Sequence, residues 1–340
     1  MRVRRPGRST STALLSVRRD VEGGPSGTYG SALPGERQSD HEPDPGSMVT
    51  AVGDPLVRAQ PGVPPAATEH DEAGWPTVPG VTLNHVRRGS GSPLLLVHGL
   101  GAGWRSWSPI LDVLAERREV IAVDLPGFGE TPPLTGEVSI ATLTDSVATF
   151  VRDQGLDGVS TVGQSMGGRM VLELARRGVG GDTVALDPGG FWSDRELVVF
   201  GATLRPSIAL VRALRDRLPA LLGSSVGRTL LLAQLSARPW ALSRETVLPD
   251  VVGLADSPAT GAAMDALTKG PKQQGAPAGT VPGRVTIGWG RRDLVTVPRQ
   301  AARATELFPD AVLHWFERCG HFPQWDAPHE ATRLILDSTD

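Results

Sequence analysis

From about residue 80 onward the chain repeats one pattern: a short, continuous apolar run that stops at a turn, followed by a segment of helical periodicity. The runs are "PLLLVHG" (93–99), "EVIAVDLPG" (119–127), "VSTVGQS" (159–165), "TVALDPG" (183–189) and "RVTIGWG" (284–290). Runs that are apolar at consecutive rather than alternate positions belong to strands buried on both faces. "VTLNHVRRG" (81–89) reads as a strand entering a turn, and "AVLHWFERCG" (311–320) as a last strand. Between them, Ile140, Leu143, Val147, Phe150 and Val151 share one face of a helix expected over 139–154, behind Ser139 as N-cap. A second helix is expected over 166–177, stopped by Gly178, and a third over 298–308, opened by Pro298. Such alternation implies an α/β fold with a mostly parallel central sheet and helices on both faces.

Two regions depart from the pattern. Residues 190–283 carry "RELVVFGATL", "SIALVRALRDRLPALLG" and "GRTLLLAQL", helical in pattern, before a Pro- and Gly-rich tract. An insertion of that length is expected to form a helical cap over the C-terminal edge of the sheet rather than a loop. The domain is then 76–340, with its core in 76–189 and 284–340 and its cap in 190–283. Residues 1–75 have no apolar period and are expected to form a disordered arm. The arm is basic first (Arg2, Arg4, Arg5, Arg8, Arg18, Arg19) and acidic afterwards. It reads either as a basic tail or as an extension upstream of a start at Met48.

Charge and cysteine content narrow the classes. The net charge of −3 gives no general attraction to nucleic acid or anionic membranes, and no apolar run approaches the length of a membrane span. Cys319 is the single cysteine, so no intrachain disulfide can form. The "TALLSV" segment near the N-terminus is too short for a signal peptide and is followed by Arg18 and Arg19. A cytoplasmic location is expected. No metal or cofactor is expected, since no ligand cluster or phosphate-cradling loop is present.

The chemistry concentrates at strand ends. Gly163-Gln164-Ser165-Met166-Gly167 has the form G-x-S-x-G between a buried strand and a helix. Small residues two positions on either side let the chain pack through a tight turn that lifts the serine Oγ clear of the sheet. The helix N-terminus beneath it favours developing negative charge. A serine nucleophile needs a base, and the base an orienting acid. Asp293 in "WGRRDLVTVP" and His321 in "ERCGHFPQW" each follow a later apolar strand. Each alone has a plainer reading, a loop-capping aspartate and a surface or core histidine. Three such positions, in this order at three strand ends, are far more telling. "HGLGAGW" (98–104) follows the first long strand, and the backbone N–H groups of Leu100 and Met166 are placed to form an oxyanion hole. His98 is expected to be a structural hydrogen-bonding group in that loop.

Residues from about 80 to 340 resemble the α/β-hydrolase superfamily. The motifs that carry the resemblance are "HGLGAGW", "DLPGFGET" (124–131), "GQSMGG" (163–168), "WGRRDLVTVP" (289–298) and "CGHFPQWDAP" (319–328). Carried over by position, the resemblance makes Ser165 the nucleophile, His321 the base and Asp293 the acid, with Leu100 and Met166 as oxyanion donors. It gives Asp124 a structural role and leaves Asp187, in "VALDPGG", as a rival for the acid. Gln164 stands where many relatives have histidine, which concerns the pocket lining. A serine at 165 argues against the branches that use an aspartate nucleophile, the haloalkane dehalogenases and epoxide hydrolases.

The leading expectation is therefore a serine hydrolase acting on an ester or similar acyl substrate. Trp104, Gln164, Trp192 and Phe322 are expected to line its pocket, with Phe191 at the entrance and Trp240 within the cap. A small, apolar acyl molecule is the expected partner. Alternatives on the same fold are a carbon–carbon bond hydrolase, suggested by Gln324 and Trp325 in "GHFPQW", and a cofactor-free perhydrolase. A hydrolase-like binding protein is the alternative from another class.

Overall fold

A computed structural model describes residues 82–340; the arm expected over 1–75 lies outside the described residues. Seven strands form one sheet. They are β1 (His85–Arg88), β2 (Pro93–Val97), β3 (Glu119–Val123), β4 (Ser160–Gln164), β5 (Thr183–Leu186), β6 (Val285–Gly290) and β7 (Val312–Phe316). Their order across the sheet is β1-β3-β2-β4-β5-β6-β7. Only β1 is antiparallel to its neighbour, on the edge beside β3; every other pair is parallel.

The register brings the strand ends level. Val97 lies beside Val123 and Gly163, and Leu186 beside Gln164 and Gly288. The chain runs from β2 outward to β3 and then returns to β4 on the other side of β2. Ligands bind where strand order reverses in this way, at the carboxyl ends of the strands.

The helices are α1 (Ser108–Ala115), α2 (Ile140–Asp153), α3 (Met166–Arg176), α4 (Asp194–Ala213), α5 (Leu218–Leu221), α6 (Ser225–Leu232), α7 (Arg244–Asp256), α8 (Thr260–Lys269), α9 (Gln300–Leu307), α10 (Pro323–Asp326) and α11 (Pro328–Thr339). Alternate residues of each central strand point to opposite layers, which is why the strands read as unbroken apolar runs. Leu94 and Leu96 join a core with Ile110 and Leu114 of α1 and Ile335 of α11. Leu95 and Val97 join the opposite core with Leu143 and Val147 of α2 and Met170 of α3.

Helices α4 to α8 occupy the chain between β5 and β6. Sequence reading splits the first of them at Pro206, yet α4 is one helix of 20 residues through that proline. A proline inside a helix removes a hydrogen bond and clashes with the preceding turn, at a cost of about 3 kcal/mol. Phe200, Leu204, Ile208 and Val211 form a single buried stripe on both sides of Pro206, which itself faces solvent. Burying four such side chains, at about 1.5–3 kcal/mol each, outweighs the kink. Part of this region has its own core, where Leu218, Leu222, Leu232, Val247 and Val251 pack with Phe322 and Trp325. Among the described residues no single helix is long and apolar enough to cross a membrane.

Candidate active site

Ser165 sits between β4 and α3 at φ 56° and ψ −112°, a region that non-glycine residues rarely enter. The turn is kept tight by its neighbours. A Cβ on Gly167 would lie 2.1 Å from the carbonyl oxygen of Val97, so only glycine lets α3 start against the end of β2. The loop after β2 comes as close from the other side: a Cβ on Gly99 would lie 2.5 Å from Gln164 Oε1 and 3.2 Å from the Cβ of Ser165. That loop carries Leu100 past the serine.

His321, in the loop between β7 and α10, brings Nε2 within 2.8 Å of Ser165 Oγ. Its Nδ1 lies 2.8 Å from Asp293 Oδ2. Asp293 and His321 are 1% and 3% exposed, so water competes little for these bonds. Asp293 is itself oriented: its Oδ1 accepts from the amides of Val295 at 2.7 Å and Thr296 at 3.0 Å, and its Oδ2 from the Thr296 hydroxyl at 2.6 Å. The His321 loop is anchored to the segment after α6. His321 N donates to Leu235 O at 2.8 Å, and Asp326 accepts from Ser236 Oγ at 2.5 Å and Ala237 N at 2.8 Å.

The two candidate acids lie side by side, and Asp187, Asp293 and His321 present ligating atoms within 4.8 Å of one another. This cluster is where a cation could be held, although His321 Nδ1 and Asp293 Oδ2 already face each other at hydrogen-bond distance. Asp187 makes no hydrogen bond to His321. Its Oδ1 accepts from Gly290 N at 2.8 Å, and its Oδ2 is buried without a partner. Burial first, and then the negative charge of Asp293, push the Asp187 carboxyl well above the usual carboxylate range.

Met166 N–H is the first amide of α3 and therefore lacks an intrahelical acceptor. Leu100 N–H has no acceptor among the described residues. His98 is structural: Nδ1 meets Gly99 O at 2.7 Å, and Nε2 accepts from Leu125 N at 2.9 Å. Asp124 likewise holds loops, accepting from Trp104 N, Glu130 N and the Asn84 side chain.

Ser165 and His321 open into a cavity of about 50 Å³ whose walls are mainly apolar. Phe200 and Leu204 of α4, Leu254 of α7 and Leu267 of α8 close it from above, and Gln164 and Phe322 line it as expected from sequence. The other aromatic expectations are placed elsewhere. Trp104 lines a separate outer crevice beside Arg105. Trp192 is buried against Phe200, with ring centroids 4.8 Å apart, and Phe191 packs on Trp289 and Phe308 in the core. Trp240 is 55% exposed. Each is a large apolar side chain that sequence alone cannot distinguish from a pocket residue.

Sequence reading missed Asp250, which lines the cavity from α7. Its carboxyl is buried, neither oxygen has a hydrogen-bond partner, and burial pushes it up to about 7 despite the nearby Ser106 hydroxyl. The folded carboxyl therefore keeps its proton to higher pH than the unfolded one. Stability falls as pH rises from about 4 to about 7 and levels off above. Asp250→Leu is expected to remove that slope and to be more stable than wild type above pH 7, by on the order of 4 kcal/mol at most. Urea midpoints at pH 4.5 and 8 check this; an equal difference between variant and wild type at both values would mean that the carboxyl is solvated.

The chain is similar in sequence and in fold to known proteins. The chain is 28% identical over 291 residues to an uncharacterised protein of Mycobacterium tuberculosis, across 78% of this chain and 82% of that one. It is 27% identical over 272 residues to a 2-hydroxy-6-oxo-2,4-heptadienoate hydrolase of Pseudomonas putida, across 76% and 92%. A thermophilic esterase from Thermogutta terrifontis superposes with a TM-score of 0.59 at 21% identity, across 77% and 94%, a likeness of fold. The alpha/beta hydrolase family profile matches residues 94–333, from β2 into α11, so that the parallel strands, the strand–turn–helix elbow at Ser165 and the His321 loop fall within it, and the chain belongs to the alpha/beta hydrolase family.

Proposed function

We propose that this hydrolase cleaves small esters, or similarly activated acyl compounds, with Ser165 as nucleophile, His321 as base and Asp293 as the orienting acid. The observation that carries the reading is the continuous hydrogen-bonded line from Asp293 through His321 to Ser165, 2.8 Å at each step. His321 Nε2 takes the Ser165 proton as Oγ attacks the acyl carbon. The oxyanion that forms is met by the free amides of Leu100 and Met166 and by the N-terminus of α3. The imidazolium, steadied by Asp293, returns its proton to the leaving alcohol. Water then enters, gives a proton to His321, and releases the acid from the acyl-enzyme.

Helices α4 to α8 act as the cap in this reading, and the cavity they close sets the substrate size. A bound water occupies about 10–15 Å³ on the same measure, so 50 Å³ holds roughly three to five water-sized groups in line. That is a short acyl chain. The carbon–carbon hydrolase reading draws on the Pseudomonas relative, whose named substrate is a dienoate and hence a carboxylate. Among the described residues, no lysine or arginine lines this cavity to balance a carboxylate. The ester reading is the better supported.

A fluorophosphonate probe is expected to label the wild-type protein at Ser165. In a series of p-nitrophenyl esters, kcat/KM is expected to peak at acetate to pentanoate and to fall about tenfold or more by octanoate. Activity that keeps rising through decanoate would overturn the short-chain assignment. Absent labelling, together with turnover of a ring-fission dienoate, would overturn the acyl-enzyme route.

A further inference from the structure

The cavity beside Ser165 is lined by a carboxyl for which ester hydrolysis has no use; Gln164 Oε1 and Trp325 Nε1 on the same wall are also buried without a partner, but only Asp250 leaves two oxygens so. Asp250 stands on α7 among Leu235, Val251, Leu254 and Phe322, and both of its carboxyl oxygens are buried without a hydrogen-bond partner. The Ser106 hydroxyl lies close enough to ease that carboxyl's burial but makes no hydrogen bond of good geometry to either oxygen, and it accepts from Gln324 Nε2 at 3.4 Å. On its outer side Asp250 borders the crevice lined by Arg105, Asp124 and Asp256, and its oxygens are closed to solvent there as well. An unpaired buried carboxyl disfavours the fold, and an aliphatic side chain would complete the wall around it. Groups that break local packing logic in this way concentrate where a ligand supplies the missing partner.

We propose that Asp250 is a specificity residue that accepts a hydrogen bond from a hydroxyl on the short chain filling the cavity, so that hydroxylated short-chain esters are the preferred substrates. The proposal rests on the ester-hydrolase reading above and adds the substrate class. A hydroxyl fits better than the other polar groups. It is satisfied by one carboxyl oxygen, whereas an ammonium brings three donors into a wall that offers mainly apolar side chains. A carboxylate brings no donor and adds a charge that no lysine or arginine in the wall balances. A methyl in the same place would leave Asp250 unpaired, which is the setting in which a site rejects the analogue that lacks the hydrogen-bonding group.

The test uses isosteric pairs, so that size is constant and only the donor changes. Ethyl 3-hydroxypropionate is compared with ethyl butyrate for the acyl side, and 2-hydroxyethyl butyrate with propyl butyrate for the alcohol side; ethyl 3-aminopropionate supplies the ammonium. In the wild-type protein the hydroxylated member of at least one pair is expected to have the higher kcat/KM, by about tenfold or more. In Asp250→Leu that ratio is expected to fall below one, and in Asp250→Asn, which keeps shape and an acceptor oxygen, to lie between. Fluorophosphonate labelling of Ser165 in each variant shows that the fold and nucleophile survive. Should Asp250→Leu fail to label, Asp250→Asn alone decides. A wild-type preference for the methyl member of both pairs, or ratios unchanged by substitution, would overturn the proposal. Preference for the amine over the hydroxyl would overturn it too. Failure of the wild-type protein to be labelled at all falls instead on the hydrolase reading.

Discussion

Ser165→Ala is expected to lower kcat for a short p-nitrophenyl ester by roughly 10⁴–10⁶-fold, with KM little changed. The substitution removes the Oγ that lies 2.8 Å from His321 Nε2 and leaves the rest of the site standing. The amides of Leu100 and Met166 and the cavity wall persist, so a residual rate above that in water remains. The backbone at Ser165 already holds φ 56°, and alanine asks no more of that turn than serine does, so thermal stability should stay close to wild type. His321→Ala is expected to cost a similar factor, and the double variant no more than either single one, because the two side chains act as a unit. Single-turnover kinetics with burst detection would show it. Retention of more than about one per cent of wild-type kcat in Ser165→Ala would remove serine from the nucleophile's role.

The second large effect separates the two buried acids. Asp293→Asn is expected to reduce kcat about 10⁴-fold. Its amide N–H₂ would face His321 Nδ1, fix the imidazole proton on Nε2, and leave that nitrogen unable to accept from Ser165. Asp187→Asn should change kcat less than about tenfold, since Asp187 makes no hydrogen bond to His321 and burial and the charge of Asp293 disfavour its ionised form. An asparagine oxygen can still accept from Gly290 N, and φ 44° at that position suits asparagine nearly as well as aspartate. The reverse ranking of the two variants would move the acid role to Asp187.

A feature can be read from sequence to the extent that its causes are local. The strands were readable because parallel strands covered on both faces must be apolar at every position, as Leu94 to Val97 and Val120 to Val123 are. The elbow was readable because its geometry demands specific small residues next to the serine, and Gly167 has no room for a Cβ. The antiparallel placement of β1 was not readable, since four partly exposed residues carry no sign of direction. Nor was the continuity of α4, where a tertiary stripe of buried side chains overrode the local signal of Pro206. Among large aromatic residues, Trp240 faces solvent and Phe191 the core, although both looked equally suited to a pocket.

The layered α/β fold, and the three strand ends from which Ser165, Asp293 and His321 emerge, are encoded in the order of residues alone. These follow from short-range rules: apolar runs, turn chemistry and spacing. The choice of Asp293 over Asp187 as the hydrogen-bond partner of His321 is made by three-dimensional packing, because residues 106 apart in the chain, and both at strand ends, differ in which oxygen reaches Nδ1. Packing alone also brings Asp250 into the cavity. Nothing in "RETVLPDVVGLAD" marks one acidic residue of an exposed-looking helix as buried, since that depends on how α7 packs against α4 and the turn at Trp104–Trp107. The turn that presents Ser165 is written locally, and the wall of the cavity beside it is written in the packing of helices distant in sequence.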